Sequence, residues 1–172
     1  AVAIFALPLA SGSPASSTDA TAALPPPPAP AVGAELANPV PGGRISWGWG
    51  PGRDPFDGAE VFHRGVDVAA AAGTPVLAPA AGTVTVATTS YVPSPASGTV
   101  LVIDHGSGLT TFCAHLGTLA VHAGEAVAAG QVVATVGSTG RSTGPHVHVE
   151  VHRDGEPVDP AALVREWGGG RS

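Results

Sequence analysis

From residue 41 onward the chain is a succession of short valine-rich runs separated by Gly- and Pro-containing turns. β-Branched residues in short runs between such breakers favour strands over helices. The pattern predicts strands over residues 44–49, 65–68, 74–88, 98–104, 109–116, 131–136 and 146–152. The segments AGTP, AAGT, HGSG, HAGE, GSTGRSTGP and RDGEP supply the turns between them. On the last strand, alternation puts His146, His148 and Glu150 on one face and Val147, Val149 and Val151 on the other. No stretch carries a sustained helical period, and only residues 160–166 read as a short C-terminal helical turn. The expected fold is all-β, an antiparallel β-sandwich of two packed sheets.

Length and composition set the limits of that fold. A chain of 172 residues suits one ordinary domain, expected at residues 41–167 with a short tail at 168–172. Hydrophobic residues at 44% can build a core, and aromatics at only 5% require it to be mostly Val, Ala and Leu. Residues 1–17 open with an apolar run of about ten residues and pass into small polar ones, as in the h-region and cleavage region of a signal peptide. They are expected to be the remnant of a signal peptide or membrane anchor. Residues 18–40 contain LPPPPAPAVGAE, a polyproline-favouring composition that reads as a flexible linker. The expected location is therefore the cell envelope or the exterior. The mature domain should be a monomer with no stable membrane association.

Charge and side-chain chemistry then remove whole classes of function. A net charge of −6 is the wrong sign for a nucleic-acid footprint or for adsorption to an anionic surface. All seven positive residues are arginines. Residues 121–136 resemble the hairpin of biotinyl and lipoyl carrier domains, but a chain without lysine cannot carry either cofactor. Cys113 is the single cysteine, so no intramolecular disulfide forms and the thiol reads as a packing residue.

Three short patterns carry the candidate chemistry: His63-Arg64-Gly65-Val66-Asp67, Phe112-Cys113-Ala114-His115-Leu116 and Gly144-Pro145-His146-Val147-His148-Val149-Glu150. Two histidines at i and i+2 on a strand can converge on one metal ion, or set one ligand beside one catalytic imidazole. Two imidazoles and a carboxylate form a familiar zinc set that leaves a position for water. Each motif alone is weak. In combination, with FHRGVDVAAAAGTPVLAPAAGTV, VLVIDHGSGLTTFCAHL, AGEAVAAGQVVATVGSTGRSTGPHVHVEV and GEPVDP in order, the sequence resembles the lysostaphin and LytM-type peptidoglycan endopeptidases. The likeness runs from about Ile45 to Ala162.

This resemblance implies a β-sandwich of the duplicated-hybrid-motif type and one Zn2+ held by His63, Asp67 and His148. It implies His115 and His146 as catalytic histidines, and the peptide part of peptidoglycan as substrate. No HExxH glutamate is present to act as base, so imidazoles beside the metal must carry protons. Glu150, on the face of His148, is placed to hydrogen-bond a ligand imidazole. Arg141 and Ser142, in the Gly-rich loop before His146, are expected to line the substrate groove, and residues 51–62, 89–98 and 137–144 to form its loops. His105 reads as structural, His122 as exposed, His152 as peripheral to the site, and Trp47 and Trp49 as core residues. Two departures stand out. Cys113 occupies a position where the family often has tyrosine, on the side of His115 by strand alternation, and residues 51–62 contain no tyrosine to stabilise an intermediate. The rival readings are a non-catalytic regulator that activates another cell-wall hydrolase, and a phosphocarrier with paired histidines. The complete set of His and Asp positions opposes the first, and Asp67 opposes the second.

Overall fold

A computed structural model describes residues 36–164. The described residues form twelve strands: β1 (Arg44–Trp47), β2 (Gly50–Arg53), β3 (Glu60–His63), β4 (Val66–Ala69), β5 (Pro75–Leu77), β6 (Gly82–Thr88), β7 (Thr99–Asp104), β8 (Leu109–Leu119), β9 (Ala126–Val127), β10 (Val132–Val136), β11 (His146–Arg153) and β12 (Glu156–Val158). All pairings between them are antiparallel. The main sheet runs in the order β1-β4-β11-β8-β7-β6-β9. Beyond its middle, the long strand β8 leaves this layer and pairs with β10, which in turn pairs with β5. The β5–β10 arm packs over the inner face of the main sheet, so the expected all-β sandwich is the observed architecture.

The core follows from the two-residue period. Val147 and Val149 of β11 meet Val66 and Val68 of β4, Cys113 of β8 and Leu101 and Ile103 of β7, and are covered by Val76, Val133 and Val136 of the arm. Each fully buried valine contributes roughly 1.5–3 kcal/mol of apolar burial. The same period turns His146, His148, Glu150 and His152 outward, half-buried, on the opposite face of β11. The register sets His148 beside Asp67 of β4 and Ala114 of β8.

The structure departs from the sequence pattern in several places, besides the short unforeseen strands β9 and β12. The segment 74–88 is two strands, because Pro79 offers no N–H to a ladder and the chain turns from one layer to the other at residues 78–81. Residues 51–62 are largely a hairpin of β2 and β3, registered Gly50↔His63, which its Gly and Pro content concealed. Leu36 and Val40 are fully buried, and Leu36 N–H donates to Leu163 O at 2.8 Å, so the fold takes in residues 36–40 of the segment read as linker. The C-terminal helical turn is a 3-10 turn at Pro160–Ala162, capped by the Asp159 carboxylate. The expectations for residues 1–35 and 165–172 lie outside the described residues.

Candidate metal centre and its groove

His63 ends β3 and Asp67 sits within β4, separated by a turn at Gly65. A Cβ at Gly65 would collide with the Val149 carbonyl and the His148 ring, so only glycine lets the turn lie this close to β11. The result is a triangle of ligand atoms. His63 Nε2 lies 3.0 Å from His148 Nδ1, His148 Nδ1 lies 2.8 Å from Asp67 Oδ1, and His63 Nε2 lies 3.2 Å from Asp67 Oδ1. Among the described residues these three form the group arranged to hold a metal ion.

The hydrogen bonds on the far sides of the rings fit that role. His63 Nδ1–H donates to Gly48 O at 2.8 Å, leaving the Nε2 lone pair toward the triangle. His148 Nε2–H donates to Glu150 Oε1 at 3.0 Å, leaving Nδ1 toward it. Ligand atoms of a tetrahedral zinc, bonded at 2.0–2.1 Å, stand about 3.3 Å apart, close to the observed spacing. Trp47 stacks flat on the His63 ring, with centroids 4.3 Å apart and planes at 13°.

Electrostatics say the same. Burial alone would push the His148 pKa down, yet hydrogen bonds to Asp67 and Glu150 outweigh it and raise it to about 9. Burial likewise opposes the charge of Asp67, but the hydrogen bond from His148 and the His63 ring beside it hold its carboxyl well below its ordinary range. Two carboxylates thus hold a positive charge at the triangle, which is the requirement of a cation site.

His115 and His146 lie beside it. Their ring centroids are 4.8 Å apart, and His115 is 6.3 Å from His148. His115 reaches the groove through a β-bulge. Thr99 pairs with Leu116 and Leu101 with Cys113, so β8 spends one residue more than β7, and His115 takes φ 59°. The bulge also corrects the expectation that Cys113 shares a side with His115. Cys113 points into the core, where burial pushes its thiol up to about 12 and removes it from the site chemistry. His115 Nδ1–H donates to Thr139 O at 2.8 Å, and His146 Nδ1–H to Gly144 O at 2.8 Å. Burial, reinforced by His146 and His148 nearby, lowers the His115 pKa, leaving a neutral imidazole. His146 Nε2 stands 3.8 Å from Asp67 Oδ2.

A groove of ≈ 910 Å³ surrounds the triangle. Arg141 and Ser142 line it, as do Asp54 and Tyr91 from the expected loops 51–62 and 89–98, and Trp47, which the sequence pointed to the core instead. Ser142 Oγ donates to Gly144 O at 2.8 Å. The Arg141 guanidinium forks onto the Asp54 carboxylate, lies 3.6 Å from Asp57 and sits 4.2 Å over the Phe56 ring. Tyr91 packs edge-on against Phe112 on another part of the wall. Trp47 and Trp49 are half-buried, so neither belongs to the core as expected; Trp49 meets Phe62 edge-on. His152 donates to Glu150 Oε2 at 2.6 Å, one bond removed from His148. His105 is buried, bonded to Ala81 O and Thr111, and His122 is exposed.

Comparison with known proteins places these features in a family. The model of peptidase family M23 matches residues 61–160. The DD-carboxypeptidase/endopeptidase Mpg of Neisseria meningitidis is 39% identical over 121 residues, 70% of this chain and 27% of that protein. The peptidoglycan DD-endopeptidase ShyB of Vibrio cholerae is 40% identical over 117 residues, 67% of this chain and 26% of that protein. The match therefore spans about a quarter of the length of these curated relatives. Among solved structures, a zinc-containing peptidase from Vibrio cholerae superposes with a TM-score of 0.65 at 38% identity, over 73% of this chain and 39% of that one. The catalytic domain of lysostaphin from Staphylococcus simulans gives 0.61 at 30% identity, over 70% and 90%.

Proposed function

The chain belongs to peptidase family M23, and we propose that it is a secreted zinc endopeptidase that hydrolyses peptide bonds in peptidoglycan stem peptides or cross-bridges. One observation carries this reading. Three ligand atoms converge within 3.2 Å of one another on the floor of a groove, with two further imidazoles turned toward them. His63 Nε2, Asp67 Oδ1 and His148 Nδ1 would hold the zinc. Bound there, the ion supplies Lewis-acid polarisation of the scissile carbonyl and brings the pKa of water to about 7.

The remaining chemistry belongs to side chains. With Nδ1–H tied to a backbone carbonyl, His115 and His146 each expose a lone pair at Nε2. An imidazole in that state accepts the proton of the attacking water at Nε2 and returns it to the departing amine. Burial keeps His115 neutral and ready to accept. Glu150 holds His148 in the ligating tautomer. The groove walls, with Trp47, Tyr91 and Phe112, exclude water and grip the peptide. Work outside the cytoplasmic membrane is the location that the composition of residues 1–40 and this substrate share.

The test is to digest purified peptidoglycans of different cross-bridge types and identify the fragments by mass. New peptide ends, lost on exhaustive chelation and restored by zinc, are expected. Undiminished cleavage after chelation would overturn the zinc mechanism. Release of no fragments by the zinc-loaded protein, from any wall type, would favour a regulator.

A further inference from the structure

The loop 137–144 touches both proton-carrying histidines, and it does so with its backbone. Gly137 O accepts from His146 N–H at 3.1 Å, Gly144 O from His146 Nδ1–H, and Thr139 O from His115 Nδ1–H. A histidine donating from Nδ1 to a fixed carbonyl has its Nε2 stripped of hydrogen, which is the form able to accept a proton. One loop therefore sets the tautomer of two rings.

Thr139 is what holds it. Its hydroxyl donates to Leu116 O at 2.8 Å and accepts from Thr99 N–H at 2.9 Å. Thr99 and Leu116 are register partners on β7 and β8, at the edge of the bulge that turns His115 into the groove. Both residues are buried, so neither group has water to turn to. The Thr139 hydroxyl thus stitches the loop into the sheet beside His115, while the Thr139 carbonyl fixes the His115 ring. The fit around it is close. Gly98 and Gly140, both at positive φ, press against Thr139 and the Ala96 carbonyl, where any Cβ would collide.

We propose that Thr139 is the positioning residue of this site: its hydroxyl anchors the loop, and its carbonyl keeps His115, with Gly144 keeping His146, in the proton-accepting tautomer. The proposal rests on the endopeptidase reading above for its effect on rate, but the tautomer is a separate observable.

The experiment uses the zinc-loaded full chain with Thr139→Val, Thr139→Ala and Thr139→Ser. Val keeps the shape without the hydroxyl. Ala leaves room for a water to bridge Thr99 and Leu116, and so keeps a folded variant in hand. Loss of a group that orients an active-site imidazole costs about 10–100-fold in activity. The expected result is a kcat lower by that factor in Val and Ala, with KM and bound zinc unchanged. The 15N signals of His115 should move from the Nδ1–H toward the Nε2–H form, and Ser should restore both. An unchanged tautomer in Val and Ala overturns the proposal. So does zinc lost in step with activity, or failure of Ser to rescue, because either marks a merely structural role. If the wild-type chain cleaves no wall, the endopeptidase reading fails, and the imidazole spectra still decide the role of Thr139.

Discussion

At the scale of single residues, five side chains divide into two groups by what their nitrogens and oxygens face. His63, Asp67 and His148 turn ligand atoms toward one another, within 3.2 Å. His115 and His146 turn theirs toward the groove and are tied behind by carbonyls. Replacement should separate the groups. Asp67→Ala or His148→Ala should abolish bound zinc and hydrolysis together, read by metal analysis after dialysis and by fragment release. His115→Ala should abolish hydrolysis with zinc still at wild-type level. A His115→Ala protein that loses its metal, or cleaves at the wild-type rate, would contradict this division. His148 and His146 were separable in sequence only by resemblance, because strand alternation puts both on one face; the distances to Asp67 distinguish them, 2.8 Å against 3.8 Å.

At the scale of elements, what could be read in advance depended on whether local pattern or distant contact decides the structure. β11 was legible because alternation with a valine face dictates one orientation whatever its neighbours. β2 was not, since GPGR has the composition of a turn and becomes a strand only through pairing with residues 60–63. The bulge at His115 was hidden for the same reason, as the extra residue of β8 is defined by its count against β7. The groove wall shows the limit most clearly. Asp54 and Arg141 are 87 positions apart, and no local signal joins them, yet their forked ion pair ties the β2–β3 hairpin to the loop carrying Thr139. The Arg141 guanidinium is exposed and the Asp54 carboxylate half-buried, so solvent screens the pair in part and its contribution to stability is modest. Its expected effect is on binding. Arg141→Ala should raise KM severalfold with the midpoint of thermal unfolding nearly unchanged, and Asp54→Ala should raise KM likewise while also loosening the turn whose Phe56 and Asp57 N–H groups donate to the same carboxylate. A double variant exchanging the two charges should recover part of the loss. An unchanged KM in both single variants would show the wall to be rigid without the clasp.

At the scale of the whole molecule, the candidate metal centre couples folding to pH in the metal-free protein, and bound zinc cancels that dependence between pH 7 and 9. Without zinc, the raised pKa of His148 means that its proton is bound more tightly in the fold than in the unfolded chain. That contribution is fully present below its ordinary value of 6.5 and is lost as pH rises through about 9. Asp67 contributes the other way. Its lowered pKa gives stability present above its ordinary value of 3.8 and lost in acid. Together these two groups weaken the metal-free fold toward pH 9 and in strong acid, and the lowered pKa of His115 adds to the loss below 6.5. Zinc must displace the His148 proton, because only the neutral imidazole ligates. Apparent zinc affinity should then rise by about tenfold for each pH unit between 7 and 9 and level off above, since one proton leaves per ion bound. The stabilisation by saturating zinc grows with the logarithm of that affinity, by about 1.4 kcal/mol per unit. The gap in unfolding midpoint between loaded and metal-free protein should consequently widen from pH 7 to pH 9, as the metal-free curve falls while affinity climbs. Competition titrations with a chelator of known proton dependence, run beside thermal melts at each pH, measure both quantities on the same samples. An affinity flat across this range would mean that His148 is already neutral in the metal-free protein and releases no proton to zinc.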